Sequence, residues 1–436
     1  MKKFYRLLNM GTILLLSGFL FLASCTKEGP QGPKGEDGMD GKDGKDAVIT
    51  CGQCHNPSVV EMKATEFELS KHSYGEAAFE EAGNATCAPC HESEGFKYVV
   101  KNNIPATFTL NSSTGKYANN YVSIASAAFG EITCNTCHSS LHTTYGLADF
   151  AFTTTAAVPM TMWGGAKTIN LTADGGKGNL CAKCHQPRPF TTSSTLSDGN
   201  IVDYASLVSN SSAIYYDSAV GNASPNKHLP SYRWHVHYGT VGAVFAGTGA
   251  VEFGTGYSNS YHTANASCSD CHTAPVTGAA GGHSFKAKGN FNGCNTTDCH
   301  GAGTVSSSND KYWKTPRAEI KKLLDDLATK INAIGGGAAP ILHKDSDGES
   351  NLWAGLTTGN WDGYLDIYSS SSNPSGYWRD PASTSSTNMS KPKFPSLTNA
   401  QVGAILNFQF ALREYSLGIH NFDYVKTLLE NTIAVL

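Results

Sequence analysis

The chain has 436 residues and a formal net charge of -4, from 32 Lys and Arg against 36 Asp and Glu. Charged residues make up 16%, well under the about 25% usual for soluble domains, and no run of Lys or Arg stands out, so nucleic-acid binding is excluded. Thirteen Cys, an odd number, do not make a disulfide framework: twelve fall into six short-range pairs, each followed directly by His, and Cys25 stands alone.

In chain order, Lys2, Lys3 and Arg6 precede an apolar run, Leu7 to Leu22, that is too short and too early for a comfortable membrane span. Leu22-Ala23-Ser24-Cys25 then reads as a lipobox. Residues 1–24 are predicted to be a lipoprotein signal peptide, with Cys25 as the lipidated residue. The acyl chains would tether the mature protein to the outer membrane, facing the cell exterior. Gly recurs at 29, 32, 35, 38, 41 and 44, a collagen-like Gly-X-Y period with Pro only at 30 and 33 within it. Only Gly fits a collagen axis, so residues 25–47 are either a trimerising arm or a solvated spacer.

From residue 51 one signature recurs. Cys51 and Cys54 precede His55, Cys87 and Cys90 precede His91, and Cys134 and Cys137 precede His138. Cys181 and Cys184 precede His185, and Cys268 and Cys271 precede His272. A sixth, Cys294 and Cys299 with His300, has four residues between its Cys instead of two. Cys-x-x-Cys-His is the attachment pattern of c-type haem. Its two thiols add to the vinyl groups of one porphyrin, and the His binds the iron as the proximal ligand. A lone Cys-x-x-Cys is ambiguous between redox dithiol, zinc and chance. Five copies, each closed by His, are specific. The sixth is read in the same way, with a plain disulfide as its alternative. The irregular spacing excludes a solenoid of equal repeats. Six covalently attached haem c groups are thus expected. Macrocycles would replace much of the side-chain core, so long strands and helices are not required.

Each iron needs a ligand on its other face. Further His stand at 72, 142, 228, 235, 237, 262, 283, 343 and 420, against Met62, Met160, Met162 and Met389 in the body. That excess favours His on both faces, a low-spin and low-potential arrangement. Five segments carry a resemblance. They are Phe67 to His72, Trp234 to Gly239, Ser258 to His262, Gly281 to Phe285, and Gly418 to Asn421 followed by Tyr424, Leu428 and Leu429. In them the chain resembles the outer-surface multihaem c-type cytochromes that carry respiratory electrons out of bacteria, including kinds that polymerise into filaments. The likeness covers the chain from about residue 65 to the end; the departures are the long-spaced sixth signature and the Gly-X-Y arm. It implies His72, His262, His283 and His420 as distal ligands. His142, four residues after His138, and His237, for which His235 is an alternative, complete the set; His228 and His343 are left out.

The remaining chain reads as follows. Residues 144–180 and 190–226 suggest loops with short strands, for instance Thr168 to Thr172. A helix is predicted over Pro316 to Ile334, with Thr315 as N-cap, an apolar stripe from Ile320 to Ile334 and Gly335 to Gly337 as its stop. Residues 338–396 read as a polar insertion, with Asp345 to Gly348 a turn rather than a calcium loop. A second helix starts at Thr398 with a Thr-x-x-Gln capping box and runs to near Gly418. A last one spans Phe422 to Ala434.

The expected fold is a multihaem cytochrome c, mostly irregular and helical with little sheet, its hexahaem body at 48–310 and its C-terminal helices at 311–436. The expected function is electron transfer at the outer cell surface, toward partner cytochromes or extracellular acceptors, by a monomer, a homopolymer or an arm-mediated trimer. A reductase of nitrite, hydroxylamine or a sulfur oxyanion is the alternative. It needs an iron with an open face, often with Lys as proximal ligand, and no Cys-x-x-Cys-Lys occurs here. An adhesive surface protein has no need of six haems.

Overall fold

Short turns of helix carry the signatures. The computed structural model describes residues 52, 55–74, 83–113, 116–124, 131–189, 201–218, 234–334, 341–344, 361–365, 367–368, 378–379 and 395–436. The expected signal peptide, Cys25 and the Gly-X-Y arm lie outside these residues, as do Gly335 to Gly337 and the turn at Asp345 to Gly348. Residues 53 to 436 form one compact unit and residues 1 to 52 another.

In a helical turn, residues three and four apart share a face. Cys, Cys and His at i, i+3 and i+4 therefore point one way. The turns are Ala88–His91, Cys134–Cys137, Gly178–Ala182 and Cys268–His272. Thr133 with Thr136, and Ser267 with Asp270, close capping boxes at two of them. The His91, His138 and His185 amides donate to the carbonyls of Cys87, Cys134 and Cys181 at 3.2, 2.9 and 2.9 Å. In the long-spaced signature the His300 amide makes the same bond to Cys294, at 3.1 Å. The two extra residues loop out, and His300 returns to the place that the regular spacing gives.

Three long helices close the chain: Thr315–Ala333, Asn399–Leu412 and Phe422–Val435. They pack on one another. Every residue of the middle helix except Gln401 is buried, as its all-round apolar sequence requires. Two polar residues of its second half join it to distant chain. Asn407 accepts from the Val251 amide at 2.9 Å and donates to the Val251 carbonyl at 2.7 Å and to Thr432 Oγ1 at 2.8 Å. Gln409 donates to the carbonyls of Trp234 and Gly363 at 2.9 and 2.8 Å. One apolar core runs from Val158 to Leu429 and includes Met160, Met162, Trp234, Leu324 and Phe408. It draws on both sides of residue 310. The side-chain core is thus larger than the composition suggested.

Sheet is confined, among the described residues, to five two-stranded pieces, none able to stand alone. Thr168–Ile169 pairs with Val158–Pro159, a shorter strand than expected because Leu171 turns inward and its amide donates to Asn179 Oδ1. The second expected loop region holds a helix, Tyr204–Ser209, capped by Asp203, since Tyr204 and Leu207 on one face reach the core. The stretch taken for a polar insertion is not wholly peripheral. Leu342–Lys344 pairs with Trp361–Leu365, and Ile341, Leu342, Trp361 and Leu365 join the core.

Helix boundaries also differ. Thr315 is not the N-cap but the first helical residue, because a π turn, Asp310–Lys314, leads directly into the helix. Asn309 caps that turn by accepting from the Tyr312 amide. The middle helix keeps its Thr398–Gln401 capping box but stops at Leu412. Tyr415, Leu417 and Gly418 take left-handed backbone with φ of 63°, 58° and 84°. The Glu414 carboxylate binds the Gly418 amide at 2.7 Å and the Ser416 hydroxyl at 2.6 Å, and such local side-chain bonds compete with helix. The last helix ends at Val435, with Asn421 as its cap.

Candidate metal centres

Five of the six signature His each have one other His as counterpart. His55 pairs with His142, Nε2 to Nε2 at 3.4 Å and ring centroids at 5.7 Å. His185 pairs with His72 at 6.0 Å and His91 with His237 at 6.3 Å. His300 pairs with His262 at 6.1 Å and His272 with His420 at 6.3 Å, the latter two rings within 10° of parallel. The remaining signature residue, His138, makes ring contacts with Phe150 and Phe152 and lies close enough to His283 for its charge to be felt there. Burial holds the His283 pKa down, and the charges of Lys63 and His138 add to that effect while Glu66 opposes it.

The spacing suits one metal ion between the two His of each of the five ring pairs. A metal–imidazole bond is about 2.0–2.1 Å long, so two imidazoles on opposite sides of an ion have centroids about 6 Å apart. Among the described residues no group of three or more His, Cys, Asp or Glu converges on a possible ion site. Two protein ligands are too few for a structural zinc site. A six-coordinate iron would take its remaining ligands from a porphyrin, and ten of the twelve signature Cys lie among the described residues as free thiols. Cys51 and Cys54 lie outside them.

Second contacts fix which ring nitrogen faces the partner. Nδ1 of His138 donates to the Phe150 carbonyl at 2.8 Å, that of His272 to the Phe285 carbonyl at 2.8 Å, and that of His262 to the Ile419 carbonyl at 3.0 Å. A carbonyl only accepts, so Nδ1 holds the proton and Nε2 presents its lone pair. Nδ1 of His420 donates instead to the buried Glu414 carboxylate at 2.7 Å. His142 and His237 hold left-handed backbone, φ 62° and 71°, as does Phe285 at 54°. Such strain in residues other than Gly gathers at functional sites. Phe285 serves three centres: its carbonyl takes His272, and its ring lies 5.3 Å from His72 and 5.5 Å from His283.

The centres adjoin one another through their Cys. The thiols of Cys90 and Cys184 lie close enough to shift one another's pKa, as do those of Cys181 and Cys268 and of Cys271 and Cys294. The second, fourth, fifth and sixth signatures thus form a run. The third lies beside the fourth: burial pushes the Cys137 thiol up to about 12, and Cys181 adds to the effect. His185 is at the middle, where burial pushes its pKa down to about 3, helped by His72, His272, His420 and His91. Gly242 permits this crowding. Its amide donates to the His185 carbonyl at 2.9 Å, and a Cβ there would come within 2.5 Å of that oxygen.

His235 is not opposite a signature His. Its Nδ1 accepts the His237 amide at 2.8 Å, and its ring meets Tyr364. His343 is in the strand Leu342–Lys344, and His228 lies outside the described residues. Met160 and Met162 are core residues. Sequence reasoning missed Glu414 and Glu66. Glu66 accepts the His283 amide at 2.8 Å, is paired with Lys63, and stands 3.7 Å from His283 Nδ1. A buried acid shortly before a candidate ligand His was the available signal for Glu414. No family model matches the chain, and neither a curated protein nor a solved structure matches it.

Proposed function

We propose that the chain is an exported, lipid-anchored hexahaem c-type cytochrome that carries electrons at the outer cell surface. The observation that carries this reading is the matching of five signature His with five others at a spacing that suits a shared iron. When bound, haem c supplies one-electron chemistry. The Cys side chains of each signature would hold it by two thioethers. His55, His91, His138, His185, His272 and His300 would bind as proximal ligands, and His142, His237, His283, His72, His420 and His262 as their respective distal ones. The Nδ1 contacts orient the imidazoles, and the apolar core excludes water from the face that it covers. The run of Cys contacts brings successive attachment points together, as a relay requires.

His on both sides leaves no face open to a substrate, which favours electron transfer over a reductase. All five ring pairs come from one chain, which favours a single particle over a polymer built on borrowed ligands. The signal peptide, the acylated Cys25 and the spacer of residues 25–47 complete the proposal, with partner cytochromes or external acceptors as redox partners. Among the described residues no helix is long and apolar enough to cross a membrane. One observation favours a second reading: the three thiol contacts could close as disulfides in an oxidising compartment. That reading leaves the five His pairs without a role.

The test is an EPR and absorption spectrum of the purified oxidised protein, followed by its dithionite reduction and reoxidation by an electrode. Low-spin haem throughout, rapid reoxidation and no turnover of nitrite or hydroxylamine are expected. A stoichiometric high-spin signal with turnover of either substrate would overturn the proposal in favour of a reductase.

A further inference from the structure

We propose that Glu414 lowers the potential of the His272–His420 centre, a claim that rests on the haem reading above. Glu414 has no exposed side-chain surface. Its carboxylate takes three donors: His420 Nδ1 at 2.7 Å, the Ser416 hydroxyl at 2.6 Å and the Gly418 amide at 2.7 Å. That arrangement needs the sharp left-handed turn at Tyr415, Leu417 and Gly418. A helix continued to Gly418 would carry the Gly418 amide to the Glu414 backbone carbonyl, as i to i+4 bonding requires.

The other Nδ1 bonds described above end on neutral carbonyls, of Phe150, Phe285 and Ile419. Glu66 is the nearest rival, but it stands 3.7 Å from His283 Nδ1 and is neutralised by Lys63 at 2.9 Å. Arg317 is close enough to feel the Glu414 charge, but its Nε donates to the Ser416 carbonyl at 3.2 Å. Among the four bonds donated by Nδ1 described above, that of His420 is the one that ends on a carboxylate.

A carboxylate that accepts the Nδ1 proton raises the basicity of the ligating imidazole. The more basic ligand, with a fixed negative charge beside it, stabilises the oxidised ion more than the reduced one, and this lowers the potential. Glu414 touches neither iron nor substrate, so it is a positioning and tuning residue that acts through His420. The centre lies inside the run, since Cys268 contacts Cys181 on one side and Cys271 contacts Cys294 on the other. A lowered potential there would place an uphill step in the interior of the run rather than at an end.

The experiment is a redox titration followed by EPR on the intact mature protein and on Glu414→Gln, with haem counted by mass in each. In the unaltered protein six low-spin components are expected. Glu414→Gln keeps a neutral acceptor for Nδ1. It is expected to raise one component alone by at least about 59 mV, a tenfold change in a one-electron equilibrium, and to alter its g values. Glu414→Asp, which keeps the charge, is expected to restore part of the shift. Six haems whose potentials Glu414→Gln leaves in place would overturn this inference alone. Absence of haem would overturn it together with the reading on which it rests.

Discussion

Residues 55–157 and 269–313 differ in kind from the rest of the described chain. Their buried apolar side chains are few, among them Phe96, Val99, Tyr121 and Val305, and none belongs to the main core. The core instead takes its residues from 158–253 and from Ile320 onward. Yet those two poorly cored stretches carry most of the signature His and their partners. Folding must offset about 1–2 kcal/mol of backbone entropy per ordered residue, chiefly by apolar burial. The helical region does this with Leu324, Phe408 and Leu428. The signature stretches have too little of their own, and six porphyrin faces would supply the missing surface. On the proposed haem reading, one part of the architecture is protein-cored and the other would be cofactor-cored.

The sharpest way to break this contrast is to withhold haem. Chain produced without the attachment machinery is expected to be cleaved readily by protease within 55–157 and 269–313, and to stay protected over 399–435. Uniform protection would show that the signature stretches need no cofactor. Next in size is a cut into the protein core. Phe408→Ala should cost about 3–5 kcal/mol, read by denaturant unfolding of the holoprotein, with the haem count unchanged. Loss of haem instead would mean that the two regions fold as one. Thr398→Ala removes the capping-box hydroxyl that accepts the Gln401 amide. It should cost about 1 kcal/mol by the same measurement. The smallest effect is expected in the hairpin of Phe108–Asn111 and Lys116–Asn119, where Leu110 is half exposed. Leu110→Ala should change stability by no more than about 0.5 kcal/mol, and a larger loss would place it in a core that the contrast denies.

Some of this was legible in the residues alone. Cys, Cys and His in fixed order mark the candidate attachment points, and the short helical turns at Ala88–His91, Cys134–Cys137, Gly178–Ala182 and Cys268–His272 follow that order. The Thr398 capping box and the Ile320-to-Ile331 stripe mark their helices because both signals are local. The partner of each signature His was not legible. His185 meets His72 and His91 meets His237 across more than a hundred residues of chain, and only tertiary packing brings such groups together. The Nδ1 acceptors at Phe150, Phe285 and Ile419 are backbone carbonyls, which every residue offers, so they leave no trace in the sequence. The end of the middle helix at Leu412 was hidden for a related reason. It depends on the Glu414 carboxylate reaching its own downstream amide, a choice that helix propensity does not register.

The central claim is that each of six Cys-Cys-His signatures holds a haem between two His, and intact-mass spectrometry of the mature protein tests it most directly. The account predicts the mass of the cleaved, acylated chain plus six haems, with the long-spaced Cys294–Cys299 signature included. Five haems would remove that signature from the set. A haem-free chain whose mass reveals disulfides at Cys90–Cys184, Cys181–Cys268 and Cys271–Cys294 would contradict the account altogether.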